Sequence, residues 1–324
     1  MPHNSSIDYI TRDYTKGINI SLVKQTNGSK LWQQVYHYPR VGYGFYHGTL
    51  GNDKIFGKNY SLYSFFDAPI FHIKQFFALN YRLSYGISYI TKPFHVQNNY
   101  NNIAIGSHLN IHFNLMLNST ISIDDRNHLV AGLGFSHFSN GKIKSPNKGL
   151  NIIAGNIGFR HIFTPAINYT DRPEEIPVVE NRNLFSAVWS HGYKAYSVNK
   201  NRFDYISSLC LNYERRYAQW GKYGGGIDLF YNHLIEDPTR IDAELPRQFF
   251  RAGVHLSHDF IVGDFSFLVQ LGHYIYNNTF EEISLFYNRV GLRYYLNNNW
   301  LINLSLKSKK ANAQFVEFGM GFIL

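Results

Sequence analysis

A histidine and a serine, His137 and Ser139, stand two residues apart in a run of alternating side chains. In an extended chain such residues project from one face, about 7 Å apart. Leu129, Leu133 and Phe135 share that face, so the polar pair ends an otherwise oily surface. An imidazole beside a hydroxyl suits nucleophilic catalysis, because the histidine takes the proton as the serine attacks. Taken alone, the pair has a plainer interpretation as polar residues in an interfacial band.

A second alternating run follows a turn-rich loop, and the two runs predict a β-hairpin over residues 128–163. In the second run Asn151 shares a face with Ile153 and Phe159. Asn151 comes directly after the loop, so we expect it to meet His137 across the hairpin. A histidine, a serine and an amide are therefore expected to lie together at one end of the apolar face of the hairpin.

Composition narrows the class of protein. The chain has 324 residues, 17% aromatic and 16% charged, with one cysteine and a formal charge of +9. The single Cys210 excludes an intramolecular disulfide. The positive charge favours anionic partners, but no compact basic cluster or known motif supports nucleic-acid binding. No joint ligand spacing among the 15 histidines predicts a metal site, and no cofactor is needed.

Alternation recurs along most of the chain, in runs longer than the usual strand of about five or six residues. One face is apolar and the other is polar and glycine-containing, and no apolar run approaches the roughly 18 residues of a transmembrane helix. We therefore predict an all-β, antiparallel transmembrane β-barrel of about 14 strands, in a range of roughly 12 to 16, in a bacterial outer membrane. A large soluble β-sandwich is the alternative. The residues expected to face a polar lumen are Arg82, His108, His112, Arg160, Asp228, Arg289 and Glu317.

The predicted organisation is one N-terminal periplasmic segment, residues 1–33, and a single barrel, residues 34–324. The first segment is polar, with one possible strand at 17–23. It begins without the charged and apolar regions of a signal peptide, which leaves open a cytosolic chain or a mature chain with a new initiator methionine. A long acidic link at 164–181 is expected to be a turn beneath the barrel.

The longer string around the pair resembles a known family. The residues His137-Phe138-Ser139-Asn140-Gly141 are followed by Pro146-Asn147-Lys148-Gly149-Leu150-Asn151. This order and spacing resemble the signature of the outer-membrane lipid A 3-O-deacylases and the wider acyloxyacyl hydrolase-like group. The resemblance covers the hairpin alone, and members of that family are smaller barrels.

The resemblance implies a role for each matching residue. Ser139 is the expected nucleophile and His137 its general base, on the outer face of the barrel. Asn140 and Asn147 are expected to donate to the oxyanion or to shape the loop together with Gly149. The loop lysines are expected to pair with lipid A phosphates, or else to form a solvated basic loop: Lys142, Lys144 and Lys148.

The third catalytic position departs from the family, which has an acid where this chain has Asn151. An amide oxygen can fix the histidine tautomer but carries no charge to stabilise imidazolium. We expect a weakened or differently tuned esterase, or an inactive descendant. Asp124 and Glu317 are alternative acids, but the sequence places neither beside His137.

The leading hypothesis is an outer-membrane carboxylic ester hydrolase that deacylates lipid A of lipopolysaccharide. Its partners are the membrane and the lipid A of the outer leaflet. The alternatives are a non-catalytic barrel that retains the motif, acting as a channel, adhesin or structural protein, and a soluble lipid-binding β-protein.

Overall fold

The computed structural model consists almost entirely of antiparallel strands. It describes residues 11, 13–73, 76–164, 176–179, 182–195, 203–233, 250–277, 285–309 and 312–324. The predicted turn at 164–181 lies mostly outside these residues. No helix in the described ranges has the length and apolar character needed to cross a membrane.

Fifteen strands and one short helix make up the described structure. Their bounds in chain order are β1 Gly17–Gln25, α1 Leu31–Val35, β2 Arg40–Thr49, β3 Lys58–Ile73, β4 Phe77–Ile90, β5 Leu109–Ser122, β6 Asn127–Ser139, β7 Leu150–His161, β8 Arg182–Ala195, β9 Phe203–Ala218, β10 Gly221–His233, β11 Phe250–Val262, β12 Phe265–Asn277, β13 Phe286–Tyr295, β14 Trp300–Lys309 and β15 Asn312–Ile323.

The chain divides into two compact units. The first comprises Met1–Asn140 with Pro146–Ile176, and the second comprises Gly141–Ser145 with Pro177–Leu324. In the first unit, β1 to β7 form one sheet in which each strand pairs with its neighbours in sequence. One face of this sheet lines a cavity of about 2360 Å³, whose wall includes residues of both edge strands, β1 and β7.

The second unit is a closed barrel of eight strands, β8 to β15. Closure is made by β15, which pairs antiparallel with β8 from Val316 opposite Tyr193 to Ile323 opposite Ser186. Along each strand the buried and exposed positions alternate, as the period of two requires. In β12, for example, Ser266 and Gln270 are buried while Phe265 and Leu271 are exposed.

The antiparallel all-β barrel class is confirmed, and the count of fifteen strands is close to the predicted one. The arrangement differs from a single closed sheet, because the strands divide between a seven-stranded sheet and an eight-stranded barrel. Alternation reveals which residues face inward, but it does not encode which strand closes on which. The first sheet also begins earlier than residue 34, since β1 pairs with β2 from Gly17 opposite Gly48 to Gln25 opposite Arg40.

Most of the residues predicted to face the lumen turn away from solvent. Arg160 is half-buried. The prediction for His108 was wrong: this side chain is exposed and stacks on Tyr89 with ring centroids 5.1 Å apart. The reason is that β5 begins one residue later, at Leu109. The residues that are buried as predicted are Arg82, His112, Asp228, Arg289 and Glu317.

Ion pairs fill the interior of the eight-stranded barrel. Arg289 contacts Asp228 at 3.0 Å and Glu317 at 2.6 Å, and all three side chains are at most 4% exposed. Arg293 contacts Glu214 and Asp259, each at 3.1 Å. Each of these four buried carboxylates therefore has a cationic partner that compensates its charge.

Asp228 has four bonded partners in this interior, so its removal is expected to destabilise the barrel. In Asp228→Ala, Arg289 stays buried but loses one of its two acidic partners. This loss should lower the free energy of unfolding by about 3–5 kcal/mol. The exposed Asp264 supplies the control, Asp264→Ala, for which a change below about 0.5 kcal/mol is expected. Denaturant titration in detergent micelles measures both, and equal losses would contradict the argument. Besides Arg289, Asp228 accepts hydrogen bonds from His255, Gln270 and Tyr287.

Candidate active site

The β6–β7 hairpin brings the predicted residues together. In its register His137 lies opposite Asn151, and on the other side of β6 Ser139 lies opposite Ile111 of β5. The odd-numbered residues of β6 form the exposed face of the sheet, where Leu133 is 66% exposed. His137 continues this face and is half-buried, whereas Ser139 at the end of the strand is only 5% exposed.

Asn151 fixes the orientation of the histidine ring. Its Oδ1 lies 2.5 Å from Nδ1 of His137. An amide oxygen only accepts hydrogen bonds, so this assignment puts the proton on Nδ1 of the neutral ring. The other nitrogen, Nε2, is then the basic one, as a general base requires.

Asn147 connects the serine to the loop. Its Nδ2 donates a hydrogen bond to Oγ of Ser139 at 2.8 Å, and its Oδ1 accepts one from the backbone N–H of Asn140 at 3.1 Å. The side chain of Asn140 points elsewhere and donates to Oγ of Ser107 at 2.9 Å. Asn147 therefore contacts both the serine hydroxyl and the backbone of the residue after it.

Gly149 lets the loop pass close to the histidine. Its φ of +74° lies in the left-handed region, and a Cβ atom there would come 2.8 Å from Cε1 of His137. Its N–H donates to the carbonyl of Ala104 at 3.0 Å, and the N–H of Lys148 donates to the carbonyl of Ile103 at 3.3 Å. Glycine is required here by both the backbone conformation and the space.

A buried apolar cluster supports the hairpin from below, and sequence reasoning missed it. Phe138, between the histidine and the serine, is 1% exposed and stacks on His112 with ring centroids 4.5 Å apart. The isoleucines before β5, Ile103 and Ile105, belong to or pack against this cluster, but in the sequence they alternate like the residues of a strand. The buried members of the cluster are Leu50, Phe56, Ile90, Ala104, Ile105, Phe138 and Leu150.

Replacing Gly149 by alanine is expected to weaken the hairpin and displace His137. Strain at positive φ costs about 1–2 kcal/mol, and the contact with the imidazole adds to it. Gly158→Ala, on the same hairpin, is the control because a Cβ there meets nothing within 4 Å. Thermal unfolding should show a lower midpoint for Gly149→Ala alone, and a similar shift in both variants would refute this reason.

The remaining candidate residues are the three loop lysines and the alternative acid Asp124. In the loop, Lys142 and Lys148 are half-buried and Lys144 is exposed. Asp124 lies in the turn between β5 and β6, at the opposite end of the hairpin strand. There the side chain of Asn127 and the backbone N–H of Arg126 donate to it, and these bonds hold the pKa of Asp124 below its ordinary value.

Glu317 does not replace the missing acid, because it lies in β15 and pairs with Arg289. One group in the described part of the chain has the ligand types for a metal ion: Cys210, Asp228 and His255, whose ligand atoms lie within 4.8 Å of one another. His255 already bonds Asp228 at 3.0 Å, and the Arg289 guanidinium on that carboxylate opposes a second cation.

Each of the two units is matched by the model of a known protein family. Residues 16–160 match the family model of lipid A 3-O-deacylase (PagL), and residues 183–324 match that of the acyloxyacyl hydrolase C-terminal domain. The first match contains the whole His137–Asn151 site. The chain therefore belongs to the lipid A 3-O-deacylase family, and it is an outer-membrane protein.

Several solved outer-membrane barrels are similar at low identity. The FrpB iron transporter from Neisseria meningitidis is 10% identical, with a TM-score of 0.23, over 96% of this chain and 63% of that one. A porin mutant from Rh. blastica is 9% identical, with a TM-score of 0.19, over 96% and 91%. The chain thus spans less than two thirds of the transporter. No curated protein sequence matches.

Proposed function

We propose that this protein is a serine esterase that removes an ester-linked acyl chain from lipid A in the outer leaflet. The family gives the class of substrate, and the hairpin supplies the reacting groups. Ser139 is the nucleophile, His137 is the general base, and Asn151 orients the imidazole. No metal or cofactor enters the reaction.

The reaction runs in two halves through an acyl-enzyme. Nε2 of His137 takes the proton of Ser139 as Oγ bonds to the ester carbonyl carbon. When the tetrahedral intermediate collapses, the bond to the sugar oxygen breaks and His137 returns the proton to that oxygen. Water, deprotonated by His137, then attacks the acyl-serine, and the fatty acid and the serine hydroxyl are released.

Asn147 is the best-placed side chain to stabilise the oxyanion. Its Nδ2 lies 2.8 Å from Oγ of Ser139, so a small rotation turns the same N–H toward an oxygen on the attacked carbon. Removal of one such donor typically costs about 10²–10³ in kcat. Asn140 and Gly149 contribute by holding the loop, through Ser107 and Ala104.

The position of the site fits a lipid ester. Below the catalytic pair the same sheet face is apolar and exposed, with Ile153 at 65% and Ile157 at 90%, so acyl chains can lie along it. The ester of an outer-leaflet lipid is near the headgroup boundary, level with a strand end. The three loop lysines at positions 142, 144 and 148 are the proposed partners of the lipid A phosphates.

The 2.5 Å contact between His137 and Asn151 is the observation that carries this proposal, because it leaves a basic nitrogen on the ring. The test is mass spectrometry of lipid A from a Gram-negative host with and without the protein. A fluorophosphonate probe, with peptide mapping of the labelled residue, identifies the nucleophile. Loss of one acyl chain and labelling of Ser139 support the proposal. Unchanged lipid A, or labelling elsewhere, refutes it.

The second candidate is a non-catalytic barrel, and the amide at position 151 favours it, since the site lacks the acid of its family. A structural barrel predicts unchanged lipid A and no probe labelling. A channel additionally predicts solute flux through reconstituted vesicles. The closely paired charges inside the eight-stranded barrel argue against a conducting path through that unit.

A further inference from the structure

A group of arginines lines the cavity of the first unit. Asp67 is fully buried and has both carboxylate oxygens engaged. Oδ1 accepts from Arg40 at 3.0 Å, and Oδ2 accepts from Arg82 through two nitrogens, at 2.7 and 3.1 Å. The acid therefore already has two guanidinium partners, and both arginines lie on the cavity wall.

Arg160 brings a third guanidinium to the same place. It lies within electrostatic range of Asp67, Arg40 and Arg82 and lines the cavity from β7. Among the residues that the structure describes, the side chain of Arg160 makes neither an ion pair nor a hydrogen bond. Three cationic groups thus surround one carboxylate, and both oxygens of that carboxylate already accept hydrogen bonds from Arg40 and Arg82.

The ratio of acids to arginines is different in the second unit. In the eight-stranded barrel the buried acids Glu214, Asp228, Asp259 and Glu317 each contact an arginine. A half-buried cation without a counter-charge is costly, and a protein that retains one gains from an anion that supplies the missing charge.

The cavity has room and further polar groups for such an anion. Its volume of about 2360 Å³ far exceeds that of a small ion. Thr120 lines it and is 5% exposed, and its hydroxyl has no hydrogen-bond partner in the described structure. The acids among its lining residues, Asp124 and Asp125, are both exposed, and Asp124 bonds within its own turn.

We propose that the cavity of the seven-stranded sheet holds a binding site for a small oxyanion of the phosphate class, with Arg160 as its principal ligand. The planar fork of a guanidinium matches two oxygens of a phosphate. Arg40 and Arg82 add positive potential while remaining bound to Asp67. The phosphate is either free in solution or part of a phosphorylated headgroup.

The test is titration calorimetry of the full-length protein in neutral detergent with inorganic phosphate, at constant ionic strength set by chloride. We compare the unaltered protein with Arg160→Gln and with Arg215→Gln, whose arginine is exposed in β9 and does not line this cavity. Binding is expected for the unaltered protein and for Arg215→Gln. Arg160→Gln should bind at least tenfold more weakly, and Arg160→Lys, which keeps the charge without the fork, should be intermediate.

Thermal unfolding distinguishes a loss of phosphate binding from a folding defect in the variant. Phosphate should raise the midpoint of the unaltered protein and leave that of Arg160→Gln unchanged, while without phosphate Arg160→Gln should be at least as stable. If glycerol 3-phosphate binds more tightly than inorganic phosphate, the natural ligand is a phosphorylated headgroup. If inorganic phosphate binds more tightly, the ligand is the free ion. Equal binding by all variants, or no binding by the unaltered protein, would overturn the proposal.

Discussion

Replacing Ser139 by alanine is expected to abolish lipid A deacylation while the fold stays intact. The variant loses the atom that forms the acyl-enzyme, and His137 has no hydroxyl to deprotonate. In related catalytic pairs such a loss lowers kcat by about four to six orders of magnitude. Because the serine side chain is small and lies at the end of β6, the change in free energy of unfolding should stay below about 1.5 kcal/mol.

The matched control is Ser136→Ala, three positions earlier in the same strand and on its opposite face. There the serine accepts a hydrogen bond from Asn114 at 2.9 Å, so this variant also loses one polar contact. Mass spectrometry of lipid A should show the deacylated species with Ser136→Ala and none with Ser139→Ala. Deacylation that persists in Ser139→Ala would remove this serine from the mechanism.

Replacing Asn151 by aspartate is expected to raise the deacylation rate. The two side chains have nearly the same shape, so the 2.5 Å contact with Nδ1 of His137 should be retained. The carboxylate adds the negative charge that stabilises imidazolium while the serine proton is on the ring. The acid-to-amide change in a comparable triad costs about 10⁴ in kcat, which sets an upper bound on the gain, and we expect about tenfold to a hundredfold.

The variant Asn151→Leu tests, in the same assay, how much the hydrogen bond that orients His137 contributes apart from any added negative charge. Leucine offers no acceptor for Nδ1, so the rate should fall below that of the unaltered protein. The expected order is therefore aspartate fastest, asparagine next and leucine slowest, measured as initial rates on purified lipid A in detergent. An aspartate variant slower than the unaltered protein would mean that this site works through the neutral amide or on another ester.

The local geometry of the hairpin followed from the sequence. A period of two in both runs was enough to place Asn151 opposite His137 and to put Leu129 and Leu133 on the exposed face. These are short-range consequences of strand pleating. The same reasoning anticipated the buried, charged face of β13 and β15, where Arg289 and Glu317 meet.

The pairing of strands far apart in the chain could not be predicted from the sequence, because local periodicity carries no information about it. Residues 103 and 105 alternate like those of a strand, yet Ile105 is packed in the cluster beneath Phe138. Nothing in the local pattern of β15 states that it returns to β8. The burial of Ser139 and its bond from Asn147 likewise depend on how a loop folds back, which periodicity does not describe.

The pairing of β15 with β8 imposes an order of assembly on the second unit. In the seven-stranded sheet each new strand finds its partner in the strand made just before it, so that sheet can grow hairpin by hairpin with short loop closures. The eight-stranded barrel instead requires the last strand of the chain to reach a strand from its beginning, across six intervening strands and at a larger entropic cost. Until the final strand is in place, β8 and β14 each lack one partner, and their unpaired backbone groups would be costly in the hydrocarbon of a bilayer. Insertion of this unit is thus coupled to completion of its C-terminal strand.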